Sequence, residues 1–154
     1  MVNLILNGEF EGFTNWVLYT EDGAIITNPS AGINKYCLLT LPRQGINTQL
    51  YQYPFNLKSD TSYNLKFWLK SEIAATVSVD ILKHDTPYTL VNHYNAPSVP
   101  SGTFFDLNFK TGYSIPTQLR FRFMFFTPTV YSIDRIVLEE IITCEQFSCI
   151  LAIG

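Results

Sequence analysis

Charge is in short supply. Asp, Glu, Lys and Arg make up 15% of the 154 residues, against about 25% in ordinary globular chains. With 47% hydrophobic residues, that scarcity excludes a long disordered chain, which needs high charge and low hydrophobicity. Positive charge is scarcer still. Ten Lys and Arg face thirteen Asp and Glu, for a net charge of −3, so the basic footprint of a nucleic-acid binder is missing. No apolar run approaches the roughly 18–20 residues a membrane helix needs, so no membrane insertion is expected. The opening Met1-Val2-Asn3-Leu4-Ile5-Leu6-Asn7 has no basic n-region and is too short for a signal peptide. Histidine is limited to His84 and His93, and neither lies in an H-E-x-x-H spacing. G-x-S-x-G, a P-loop and C-x-x-C are all missing, and Glu139 and Glu140 diverge if they sit on a strand. The expectation is a protein that is not an enzyme.

Aromatic residues are plentiful at 15%, with 12 Phe and 9 Tyr, a composition that favours strands and binding surfaces. The hydrophobic period is two. Tyr63, Leu65, Phe67 and Leu69 alternate with Asn64, Lys66, Trp68 and Lys70, placing the first set on one face of a strand. Val77, Val79 and Ile81 repeat the pattern, as does Leu119–Phe125 with Arg120 and Arg122 between its apolar residues. Further strands are expected at Val2–Leu6, Trp16–Tyr19, Ala24–Thr27, Tyr36–Leu41, Asn47–Tyr53, Tyr88–Tyr94, Phe104–Phe109 and Tyr131–Glu139. Turn chemistry separates them, as in Asn7-Gly8, Asn28-Pro29-Ser30 and Pro100-Ser101-Gly102. No stretch of ten residues shows a helical stripe. The expected fold is all-β, a jelly-roll sandwich of two antiparallel sheets. Residues 1–140 form that domain, and 141–154 form an apolar, cysteine-bearing tail.

Three motifs in order resemble one group of proteins. The opening Asn3-Leu4-Ile5-Leu6-Asn7-Gly8-Glu9-Phe10-Glu11, followed by Trp16, resembles the N-L-x-x-N-G-[DE]-F-E start of the jelly-roll carbohydrate-binding modules of families four, nine and twenty-two. Leu50-Tyr51-Gln52, then Tyr63-Asn64-Leu65-Lys66-Phe67-Trp68, is similar to their L-x-Q and Y-x-L-x-F-W stretch. Tyr131-Ser132-Ile133-Asp134-Arg135-Ile136-Val137-Leu138 looks like their closing Y-x-I-D-D-V-x-L strand, with Arg135 where the second Asp stands. The resemblance spans about residues 3–139 and implies a polysaccharide or other glycan as partner. It also implies a structural Ca²⁺ held by Glu9, Glu11 and Asp134, with backbone carbonyls completing the six to eight oxygens that ion takes.

Strand parity supplies a candidate sugar surface. Trp68 lies opposite the core set, Tyr51 and Tyr53 point away from Leu50 and Gln52, and Arg120 and Arg122 alternate with the Phe ladder. Together these are expected to line one open sheet face, on which sugars stack between hydrogen-bonding side chains. Trp16 is expected in the core.

The tail supports a second class of function. Cys144 and Cys149 are five residues apart, about 16 Å if extended, too far to pair with each other. Cys37 and a neighbouring molecule are their remaining partners, beside the plain alternative of three free thiols. Ile150 and Leu151 make the tail apolar and β-prone. It suits strand addition, to its own sheet or to the next copy, giving a homo-oligomer or filament. The alternative function is therefore a self-assembling subunit of a surface or spore appendage or particle, and a toxin or phage adhesin module is a third reading. Each reading places the chain outside the cell or on a cell or spore surface, without a recognisable signal peptide.

Overall fold

The computed structural model describes residues 2–142; Cys144, Cys149, Ile150 and Leu151, with the expected tail role, lie outside the described residues. Twelve strands occur among them: β1 (Val17–Thr20), β2 (Ile25–Thr27), β3 (Ser30–Ala31), β4 (Asn34–Lys35), β5 (Cys37–Thr40), β6 (Thr48–Phe55), β7 (Ser62–Ser71), β8 (Ala75–Lys83), β9 (Leu90–Ser98), β10 (Thr103–Lys110), β11 (Leu119–Met124) and β12 (Val130–Glu140). Two five-stranded sheets result, ordered β1-β6-β11-β8-β9 and β10-β7-β12-β5-β2, with β3 and β4 forming a small ribbon. Neighbouring strands are antiparallel throughout. From β5 to β7, and again from β9 to β12, each strand lies in the opposite sheet from the one before it. That is the jelly-roll sandwich the alternation predicts. Among the described residues, no helix is long and apolar enough to cross a membrane.

The core forms because the inward parity of each long strand is apolar. Tyr63, Leu65, Phe67 and Leu69 of β7 are buried, as are Val77, Val79 and Ile81 of β8 and Phe121 and Phe123 of β11. Rings interlock across the two layers, where Phe67 of β7 meets Phe123 of β11 edge-on at 5.5 Å, and along β11, where Phe121 meets Phe123 at 5.2 Å and 88°. Truncating one such ring to Ala costs about 3–5 kcal/mol. Trp16 is buried as expected, stacked on Phe10 and edge-on to Phe121.

The N-terminal segment departs from expectation. Val2–Leu6 is irregular and not a strand. The reason is side-chain capture of the backbone, which short amide side chains do well. Asn3 Oδ1 accepts from the N–H groups of Ile5 and Leu138, and Asn3 Nδ2 donates to Ile136 O. Asn7 is left-handed at φ 51°. Its amide donates to the Gly12 and Thr14 carbonyls and accepts from Glu11 N–H, while its carbonyl accepts from Trp16 Nε1. Gly8 then lies so close to β12 that a Cβ there would sit 2.1 Å from Ile136 O. The opening motif is thus a lock between the first residues and β12. Asp22 plays a similar part further on. Its buried carboxylate accepts from Ile46 N–H, Asn47 N–H and Thr48 Oγ1. Burial pushes its pKa up, but those hydrogen bonds and Arg43 outweigh it, and the net direction is down.

Candidate functional site

The outer face of the β1-β6-β11-β8-β9 sheet carries an ordered set of polar rungs. Antiparallel register sets Tyr51 opposite Arg122, Arg122 opposite Asp80 and Asp80 opposite His93. The adjacent rung runs Tyr19, Gln49, Met124, Ser78 and Asn95. Side chains directly opposite each other are close enough to interact, and here they form one network.

Asp80 is its centre. Only 1% of it is exposed, and a buried charge needs partners. Arg122 Nε donates to Oδ2 at 2.8 Å, Ser78 Oγ donates to both oxygens at 3.0 and 3.1 Å, and His93 Nδ1 lies 2.5 Å from Oδ1. Ser, His and Asp meet here without forming a catalytic relay. Both the hydroxyl and the carboxylate address the same ring nitrogen, Nδ1, whereas a relay runs through the two nitrogens in turn.

Arg120, one strand position pair away, is held by neutral groups. Its Nε and terminal nitrogens donate to His84 Nδ1 at 3.2 and 3.1 Å and to Gln49 Oε1 at 3.0 Å. Its guanidinium carbon sits 4.3 Å from the centre of the Tyr51 ring, in cation–π geometry. Burial, together with the Arg120 charge, lowers the His84 pKa, with Asp85 opposing. The imidazole is therefore neutral at pH 7, and its acceptor nitrogen faces the guanidinium. The ring also stacks flat on Tyr53, centroids 3.5 Å apart and planes 11° from parallel.

A groove of about 710 Å³ lies over this floor, walled by Tyr19, Tyr51, Tyr88, Leu82 and Leu90. Tyr88 is held at φ 55° in a turn closed by its N–H on Asp85 O. A bulky residue there is uncommon, and such strain concentrates at functional positions. Flat rings above fixed donors and acceptors are the equipment for recognising a polyhydroxylated ligand.

Trp68 is elsewhere. It points outward as expected, but from β7 in the other sheet. The expectation that Trp68 shares a face with Tyr51, Tyr53 and Arg122 is corrected: parity separates inward from outward, and β6 and β7 lie in opposite layers. Trp68 is half-buried. The turn before β10 lies across it, so a Cβ on Gly102 would come within 2.9 Å of the ring. It borders a hollow of about 390 Å³ with Tyr36, Asn34, Lys70, Asp134 and Arg135.

Asp134 in that hollow is 6% exposed, and its Oδ1 has no hydrogen-bond partner. Burial pushes its pKa up to about 6. The charges of Glu9 and Glu11 add to the rise, against the Arg135 backbone N–H and guanidinium. The structure thus brings the three expected metal ligands within electrostatic reach. Among the described residues, however, no three acidic, His or Cys side chains converge on one point. Arg135 is left-handed at φ 56°, in a bulge between Asp134 and Val137. Cys37 is a free thiol with no exposed surface, its pKa pushed up to about 12 by burial. It packs as a small hydrophobe, a place from which sulfur meets no neighbouring molecule while the sandwich is folded. Arg120 lies on the face where strand parity expects it, beside Arg122; His84 and Asp80 are additions to the expected set, although the outward parity of Asp80 is readable.

The sequence profile of a family described as a carbohydrate binding domain matches residues 2–130. No curated protein sequence matches. Among solved structures, one described as "CBM4 structure and function" superposes with a TM-score of 0.76 at 17% identity, covering 88% of this chain and 98% of that one. The N-terminal cellulose-binding domain of β-1,4-glucanase C from Cellulomonas fimi gives 0.62 at 17% identity, covering 86% and 92%. The module TmCBM61 in complex with β-1,4-galactotriose gives 0.64 at 12% identity, covering 92% and 100%.

Proposed function

The chain belongs to the carbohydrate binding domain family, and from that membership we propose that it grips a glycan in the groove over Tyr51, Arg120 and Arg122 without transforming it. One observation carries this reading: the groove floor is a polar network already locked in place, walled by tyrosine rings. Preorganised donors hold sugar hydroxyls without paying again for ordering. The arrangement of Ser78, His93 and Asp80 supports binding and not hydrolysis. The solved neighbours whose descriptions mention cellulose and β-1,4-galactotriose support a polysaccharide as partner, and with it a place outside the cell or on its surface.

Asp134, Glu9 and Glu11 supply hard oxygens of the kind Ca²⁺ prefers, and the unpartnered Asp134 Oδ1 is the atom an ion would satisfy. A bound ion would supply charge compensation at the β12 bulge and would stand apart from the groove. Self-assembly is the second reading. It is favoured by an apolar hollow of Val2, Leu4, Leu57, Tyr63 and Ile142, bordered by the residue from which the tail continues. Light scattering of the full chain and of a chain ending at Ile142 tests it: equal mass removes it.

The test of glycan binding is affinity electrophoresis and calorimetry against a polysaccharide panel. Tyr51→Ala is expected to weaken binding about tenfold, and Trp68→Ala to leave it nearly unchanged. The reverse pattern, or no binding to any glycan, defeats the reading.

A further inference from the structure

Two guanidiniums in the groove floor converge on one neutral atom. Arg120 donates to Gln49 Oε1 at 3.0 Å, and Arg122 donates to the same oxygen at 3.4 Å. Like charges repel, and an amide oxygen compensates neither. The two arginines differ in what else they have. Arg122 is paired with Asp80 at 2.8 Å. Arg120 has no carboxylate within ion-pair distance among the described residues; its partners are an imidazole kept neutral, two carbonyl oxygens and a tyrosine ring. No acidic side chain lines the groove. Glu21, whose charge raises the Tyr19 pKa, and Asp85, whose charge acts on His84, are within electrostatic reach of groove residues.

The groove is therefore cationic at its floor in a chain of net charge −3. A partly buried charge without a counter-ion is costly unless something else supplies one. Long-range attraction does not explain it, because the chain as a whole repels anions.

We propose that the groove selects acidic glycans, seating the carboxylate of a uronic or similar sugar against the Arg120–Arg122 pair. This rests on the glycan-binding reading and names its ligand class. Guanidinium recognises carboxylate through short, charge-assisted hydrogen bonds. The terminal nitrogens of both arginines already point to a common place, held by Gln49, which Asn47 fixes in turn through its own side chain at 2.8 Å. The tyrosine walls would take the apolar faces of flanking sugars.

The experiment compares one backbone with and without its charge. Polygalacturonate and its fully methyl-esterified form are titrated against the intact chain, with alginate and hyaluronan as further carboxylated polymers. Laminarin serves as a neutral polymer and dextran sulfate as a sulfated one. The expected result is binding to at least one carboxylated polymer about tenfold tighter than to laminarin or the ester. Arg120→Gln should bring the two affinities together while leaving the thermal midpoint close to that of the parent chain. Arg120→Lys keeps the charge without the planar fork and should restore part of the preference. Four results overturn the proposal: equal or tighter binding to neutral polymers, which leaves the glycan reading standing; no binding to any polymer, which removes both; equal binding to dextran sulfate, which makes the site a general anion trap; and an unchanged acid preference in a folded Arg120→Gln chain.

Discussion

Each outer sheet face holds one buried aspartate, and the two have been treated in opposite ways. Asp80 is enclosed by Arg122, His93 and Ser78, so that both of its oxygens are occupied. Asp134 has one oxygen with no partner, two other carboxylates in electrostatic reach and, among the described residues, a single cation within ion-pair distance, Arg135 Nε at 3.8 Å. Similar burial therefore gives a rigid scaffold on one face and an unfinished site on the other. Burial alone does not tell which aspartate is structural; the satisfaction of its oxygens does.

The comparison breaks first at Asp80. Asp80→Ala removes the only carboxylate paired with Arg122 and His93 among the described residues and should cost about 3–5 kcal/mol in urea unfolding, with loss of glycan binding. A small cost would mean that the network is ornamental. The same measurement on Asp134→Asn should move the other way. A folded pKa near 6, above the unfolded value of about 3.9, means that the folded state holds this proton more tightly. Its stabilising contribution is therefore fully present below about pH 4 and lost as pH rises through 6. In EDTA at pH 7, Asp134→Asn should gain about 1–2 kcal/mol and flatten the decline of stability between pH 4 and 7. Added Ca²⁺ should raise the midpoint of the parent chain and not that of the variant. Arg135→Gly gives the smallest effect. It relieves a left-handed side-chain position and should gain about 1 kcal/mol. A loss there would show that the Arg135 side chain contributes more to the bulge than its backbone conformation costs.

The sheet faces were legible because period-two alternation fixes inward and outward residues. Val77, Val79 and Ile81 face in, and Tyr51, Tyr53, Arg120 and Arg122 face out, as their spacing requires. The assignment of strands to sheets was not legible, and that is why Trp68 was grouped with Tyr51. β6 and β7 follow each other in the chain yet lie in opposite layers, whereas β8 and β9 share one sheet, and no local pattern records the difference. The first residues misled for a different reason: Val2–Leu6 is apolar and β-prone, but the side chains of Asn3 and Gln52 take the backbone hydrogen bonds of Ile5 and Leu6. His84 was out of reach because its contact with Tyr53 depends on how the chain turns after β8. Asp80 was visible as an outward acid but not as a buried one, since its burial is created by neighbours from β9 and β11.

The clasp of Asn3 and Gly8 on Ile136 and Leu138 joins residues separated by 128 to 135 positions. A ribosome releases the first of these long before the last, so the segment carrying Asn3 and Gly8 must wait for about 130 further residues before it can dock. Closure of the sandwich is thus a late event in synthesis, and slow by the ordinary rule for distant pairings. Nascent chains stalled before Ile136 should remain open to protease at their front end.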